Sequence, residues 1–114
     1  MFEPLVVLSS CSGPEEGARL ARLLVGERVA ACVSLVPGAQ SIYLWQGKME
    51  EAGECLLLIK TSRPCLNRLQ ELLAGHHSYD VPEVLAIPVA DGSPAYLRWL
   101  EESLAQTSED NPVL

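Results

Sequence analysis

The chain has 114 residues, of which 48% are apolar, and a formal net charge of −7 from eight Lys and Arg against fifteen Asp and Glu. This is the material of one domain with a single core, spanning residues 1–114, and its acidity without a Lys/Arg cluster disfavours nucleic acid and anionic lipid as partners. No stretch approaches the roughly 20 apolar residues that span a membrane, residues 1–10 lack a basic targeting start, and four cysteines without CxxC spacing read as free thiols, so the cytoplasm is the expected location.

Leu5 to Leu8 is a continuous apolar run, which predicts a central strand. It runs into Ser9-Ser10-Cys11-Ser12-Gly13-Pro14-Glu15, where Ser12 and Glu15 fit a capping box and Pro14 suits a first helical turn. The helix expected over Glu15–Glu27 carries Leu20, Ala21, Leu24 and Val25 at helical spacing. From Val29 to Leu44 the pattern is β-like and too long for an ordinary strand, so it is either one strand bent at Pro37-Gly38 or two in succession. Gly47-Lys48 predicts a turn and Glu54–Thr61 the returning strand of a hairpin. Ser62 is placed to cap a second helix carrying Leu66, Leu69, Leu72 and Leu73, with its stop at Gly75. After the polar His76–Asp80 segment, Val81–Val89 predicts a fourth strand with Pro82 and Pro88 at its ends. Asp91–Pro94 turns the chain into a last helix with Leu97, Leu100 and Leu104. The tail over 106–114 is either flexible or docks its closing Pro112-Val113-Leu114.

This order predicts an α+β protein, the ferredoxin-like split βαβ sandwich: four antiparallel strands with both crossover helices on one face, a long bent second strand and an extra C-terminal helix. The strands are apolar almost throughout rather than alternating. A sheet apolar on both faces needs a second cover, and neighbouring subunits are the economical one, with the over-long second strand pairing onto another chain.

Several long segments together resemble one family. They are Val29–Gly38 (VAACVSLVPG), Ser41–Lys48 (SIYLWQGK), Leu58–Thr61 (LIKT), His76–Val89 (HHSYDVPEVLAIPV) and Tyr96–Leu100 (YLRWL). The chain is similar to the CutA divalent-cation tolerance family over nearly its whole length, with Ser78 where the family commonly has proline. The resemblance implies a homotrimer that binds divalent or soft metal ions and contributes to metal tolerance. Residue by residue, it implies a copper site from Cys11, Cys32 and His76, with zinc or another divalent cation as alternative occupants. Such thiolate and imidazole donors favour copper or zinc over magnesium or calcium.

The residues alone leave Cys32 open between ligand and buried filler. They leave His76 and His77 open between ligand and helix cap. Cys55 and Cys65 fall where the family has other residues and read as carrying no family function. A second group, Tyr43, Trp45, Lys60, Tyr79 and Glu83, corresponds in the family to a cleft near the subunit boundary, and an ion pair between Lys60 and Glu83 explains those two equally well. The runner-up function is a non-enzymatic signalling or scaffold trimer, resembling the PII proteins, that takes a protein partner or small ligand in that cleft. No phosphate loop, HExxH helix or acyl-transfer motif occurs, so no enzymatic activity is expected.

Overall fold

In a computed structural model of the chain, residues 1–105 are described; the tail over 106–114 lies outside the described residues. The strands are β1 (Pro4–Cys11), β2 (Cys32–Trp45), β3 (Lys48–Ser62) and β4 (Leu85–Pro88), and the helices α1 (Pro14–Gly26), α2 (Leu66–His76) and α3 (Pro94–Ser103). They form one antiparallel sheet in the order β2-β3-β1-β4. This is the predicted ferredoxin-like order.

Side-chain alternation divides the sheet into two faces. Val7, Cys11, Cys55, Leu57 and Ile59 point to the helices and are fully buried with Leu20 and Leu24 of α1 and Leu69 and Leu73 of α2 in one core, and Leu5 is buried on the same face. Each of these leucines contributes roughly 1.5–3 kcal/mol by its burial. The opposite, open face carries Val6, Leu8, Leu56, Leu58, Leu85 and Ile87, and Leu85 and Ile87 are about half exposed. The helix α3 meets this side at its Cys32 end, where the Tyr96 hydroxyl approaches the Cys32 thiol.

The long second segment is one strand with a bulge: Val36 pairs with Leu56 and Ala39 with Glu54, leaving Pro37 and Gly38 between them. Beyond Cys11, the last residue of β1, the β2–β3 hairpin continues alone to a two-residue turn at Gln46 and Gly47, both with positive φ as a hairpin of this length requires. This arm makes the molecule 50 Å long against 32 and 24 Å in the other directions.

Four local expectations are corrected. Gly13 is the N-cap of α1, one residue later than the Ser12–Glu15 spacing suggests, so the third helical residue that reaches back is Glu16. Ser62 makes no side-chain cap; a 3-10 turn over Arg63–Cys65 intervenes before α2. That helix runs one residue past Gly75. The fourth strand is Leu85–Pro88 rather than Val81–Val89: it pairs with Leu5–Leu8 of β1, and beyond that Pro82 has no amide to donate and the Ser10 carbonyl is engaged by His77. Arg28, in the left-handed region at φ 59°, turns the chain from α1 toward β2, and its guanidinium donates to the carbonyls of Glu102, Ser103 and Leu104, tying down the end of α3.

Candidate functional site

The polar chemistry gathers at the two ends of the sheet. At the Cys11 end, the loop after α2 brings in His77, whose ring is fully buried. Its Nε2 lies 2.8 Å from the Ser10 carbonyl, and its Nδ1 accepts from the Tyr79 amide at 3.0 Å. A carbonyl can only accept and an amide can only donate, so this geometry fixes the neutral imidazole with the proton on Nε2. The Glu16 carboxylate, 3.8 Å from Nδ1, is therefore a neighbour and not an ion-pair partner. Glu16 instead accepts from the amide and hydroxyl of Ser12 and from the amide and hydroxyl of Ser78. Burial acts to raise its pKa, but these four donations outweigh it and hold the carboxyl at about 2.

Next to it, Tyr79 donates its hydroxyl to Glu54 at 2.7 Å, and Ser41 donates to the other Glu54 oxygen. Burial and the adjacent Glu54 carboxylate push the Tyr79 phenol well above its ordinary range. Glu54 is pulled down by Ser41 and Tyr79 against the opposing effect of burial. These groups floor a concavity of about 820 Å³ on the open side of the arm, whose walls include Tyr43, Trp45, Glu50 and Glu83.

The other end of the sheet holds Cys32, paired across the ladder with Lys60. The Lys60 ammonium donates to the Cys32 sulfur at 3.4 Å and to the Ser34 hydroxyl at 3.1 Å, and the Tyr96 hydroxyl stands 3.8 Å from the same sulfur. Burial, then the neighbouring thiol, pushes the Tyr96 phenol up.

The three copper donors inferred from the resemblance do not converge within one chain. Cys11 pairs with Cys55 and Cys32 with Lys60, an odd number of residues apart on β3, so the two thiols point to opposite faces and lie toward opposite ends of the sheet. Among the described residues, no cluster of three or more His, Cys, Asp or Glu side chains is disposed to hold a metal ion. His76 is exposed and its Nδ1 contacts the Leu72 carbonyl at 2.9 Å, so it is the capping histidine, while His77 is the interior one. Cys32 is half-buried beside a cation rather than a core filler.

Of the cleft group, Tyr43, Trp45, Tyr79 and Glu83 share the concavity. Lys60 lies at the other end of the sheet, and its ladder register with Cys32 decides its partners in place of Glu83. Glu16, Glu54, Ser10 and Ser41 were not indicated by the sequence reading. The one local signal for Glu16 is its place as the third residue after Gly13, once Gly13 is recognised as the cap.

Residues 5–103 match the family described as CutA1 divalent ion tolerance protein. The chain belongs to this family. It is 46% identical over 98 residues to the divalent-cation tolerance protein CutA of Thermus thermophilus, a match covering 86% of this chain and 95% of that protein. It is 43% identical over 103 residues to the chloroplastic protein CutA 1 of rice, covering 90% of this chain but 58% of the relative. The chain thus spans little more than half the length of the plant relatives it matches. The solved Thermus structure superimposes with a TM-score of 0.87 at 44% identity, covering 90% of this chain and 99% of that one. The rice CutA1 crystal structure gives 0.90 at 42% identity, covering 92% and 96%. No helix among the described residues is long and apolar enough to cross a membrane.

Proposed function

We propose that the chain acts as a cytoplasmic, homotrimeric metal-tolerance protein that binds soft or divalent cations, copper foremost and zinc as its competitor, without catalysing a reaction. The observation that carries the metal reading is the pairing of two free thiols, Cys11 and Cys55, at one end of the sheet in a chain of net charge −7. Such a field attracts cations, and thiols select the soft ones among them. Relatives bearing the name divalent-cation tolerance protein give the reading its physiological direction.

Assembly follows from the open sheet face and the arm. Trp45, Leu85 and Ile87 on the open face, and Ile42, Leu44 and Met49 on the opposite face of the arm, are about half exposed or more in a single chain, which leaves large apolar side chains in water on both sides of the sheet. Three copies that lay these surfaces on one another remove them from water. Light scattering over a wide dilution range should give about three times the 12.4 kDa chain mass. Equilibrium dialysis of the reduced protein should retain copper, less zinc and no magnesium. A folded monomer at micromolar concentration removes the trimer, and equal retention of magnesium and copper removes the soft-metal reading.

The concavity walled by Tyr43, Trp45, Tyr79 and Glu83 favours the second reading, a small ligand or partner segment bound beside the arm. A change in Trp45 fluorescence on adding a metal-free cell extract fraction, absent in Trp45→Phe, is its test.

A further inference from the structure

The fold gives Cys55 a partner. Cys55 and Cys11 are directly opposite one another on β3 and β1, both facing the helices, both fully buried and both free thiols. Opposed residues of an antiparallel pair have Cα atoms roughly 4.5–5.5 Å apart with side chains on the same face. A Cβ at Gly17 of α1 would lie 3.2 Å from the Cys55 sulfur and 3.4 Å from the Cys11 sulfur, so both sulfurs converge beneath one helical position. Glycine within a helix costs about 1 kcal/mol relative to alanine, and this close approach is the physical reason for it here. Neither thiol is strongly engaged: Cys11 donates to the Gly13 carbonyl at 3.4 Å and Cys55 to the Leu56 carbonyl at 3.7 Å.

A second feature gives the pair a way in. Because Val36 pairs with Leu56 and Ala39 with Glu54, the bulge at Pro37-Gly38 stands beside Cys55 and leaves it without a ladder partner on β2. Gly38 there adopts φ +82°. Around the bulge is a depression of about 350 Å³ lined by Ser12, Gly13, Pro14, Gly38, Gly53 and Glu54 among others, so that Ser12 and Glu54, the chain neighbours of the two cysteines, sit on its rim. Gly13, Gly38 and Gly53 have no neighbouring atom within 4 Å of the place a Cβ would occupy, so no side chain fills the depression at these positions, and the fully buried sulfurs lie one residue beyond its rim.

We propose that Cys11 and Cys55 form a two-coordinate site for a thiophilic monovalent cation, Cu(I), reached through the depression at the β2 bulge. The proposal rests on the copper-binding reading above and names its donors. Two thiols and one Cu(I) give a linear bis-thiolate complex of charge −1 and release two protons; both S–H bonds break, two S–Cu bonds form, and no electron is transferred. Two sulfur donors with no third ligand suit Cu(I), whereas zinc demands about four ligands and magnesium or calcium demands oxygen.

The test is an anaerobic titration of the reduced full-length protein with Cu(I), in competition with a chromogenic Cu(I) chelator. Wild type, Cys32→Ala and Cys65→Ala should each hold one ion per chain with equal affinity. Cys11→Ala and Cys55→Ala should each lose at least a hundredfold. X-ray absorption at the copper edge of the wild-type complex, which needs no variant to fold, should show two sulfur neighbours and no nitrogen. Wild-type affinity preserved in Cys55→Ala, or a nitrogen ligand in the spectrum, overturns this site and leaves copper binding intact. A wild-type protein that never competes with the chelator overturns the site and the Cu(I) form of the copper reading together.

Discussion

Replacing Glu16 by Gln keeps the shape of the side chain and removes its charge at the point where the chain's segments are tied together. The wild-type carboxylate, whose side chain is 9% exposed, accepts from the Ser12 amide at 3.0 Å and hydroxyl at 2.7 Å, just ahead of α1. It also accepts from the Ser78 amide at 2.7 Å and hydroxyl at 2.8 Å, just after α2. Its pKa falls from 4.5 to about 2. Because the folded pKa lies below the unfolded one, the folded state holds fewer protons, and the associated stability is fully present above pH 4.5 and lost as pH falls through about 2. At about 1.4 kcal/mol per pH unit the shift corresponds to roughly 3 kcal/mol. Gln keeps one acceptor oxygen but turns an NH₂ group toward donors that already need an acceptor, so a loss of about 2–3 kcal/mol at pH 7 is expected.

Urea unfolding of wild type and Glu16→Gln at one chain concentration and at pH 7, 4, 3 and 2.5 measures this directly. Equal concentration matters because an oligomer's apparent stability depends on it. The gap should be widest at pH 7 and close progressively below pH 4.5. A gap that is the same at every pH, or below about 0.5 kcal/mol at pH 7, refutes the assignment of the carboxylate as the tie between α1 and the loop after α2.

Gly17→Ala gains about 1 kcal/mol of helix propensity but forces a methyl group against two fully buried sulfurs and a Leu35 methyl, an overpacking of about 1–3 kcal/mol. The melting temperature should therefore drop by a few degrees, and a rise would mean that the sulfurs give way freely. Arg28→Gly keeps the left-handed turn and removes the guanidinium contacts to the carbonyls of residues 102–104. Amide exchange in the last turn of α3 should then speed up about tenfold, a loss near 1.4 kcal/mol locally, while exchange in β1 stays unchanged.

The element order, the hairpin and the kink at Pro37-Gly38 were legible because each is written locally, in period, in turn residues and in a proline. The site was not, because it depends on parity and register. Whether Cys11 and Cys32 share a face is decided by their ladder partners, Cys55 and Lys60, and the spacing of the cysteines in sequence says nothing of that. The roles of His76 and His77 turned on one residue: α2 continues past Gly75, which leaves His76 on the helix and swings His77 inward to the Ser10 carbonyl. Val81–Val84 has the apolar character of a strand, yet the ladder on β1 stops at Leu8, where Pro82 has no amide to donate and the Ser10 carbonyl is taken by the His77 ring. Membership of the family was legible from the joined segments and is now carried by the match over residues 5–103.

The arm connects fold to assembly. An isolated two-stranded hairpin is marginal in water, since its ladder is open on both edges and it has no third layer to bury against. Here Ala39–Trp45 and Lys48–Gly53 extend past Cys11 with Ile42 at 61%, Leu44 at 70% and Met49 at 72% exposed. Nothing among the described residues compensates that exposure, so the arm's order should depend on neighbouring copies, which in a trimer that also covers the open face would pack along the arm. Ile87→Lys places a charge on that face, far from the arm and without disturbing the helix-side core. If the trimer forms through this face, the variant should scatter as a monomer. Amides of residues 39–53 should then exchange close to the unfolded rate while those of Val7 and Leu57 remain protected. A monomeric variant whose arm stays as protected as β1 would mean that the hairpin is stable by itself, and a trimeric one would place the open face outside the interface.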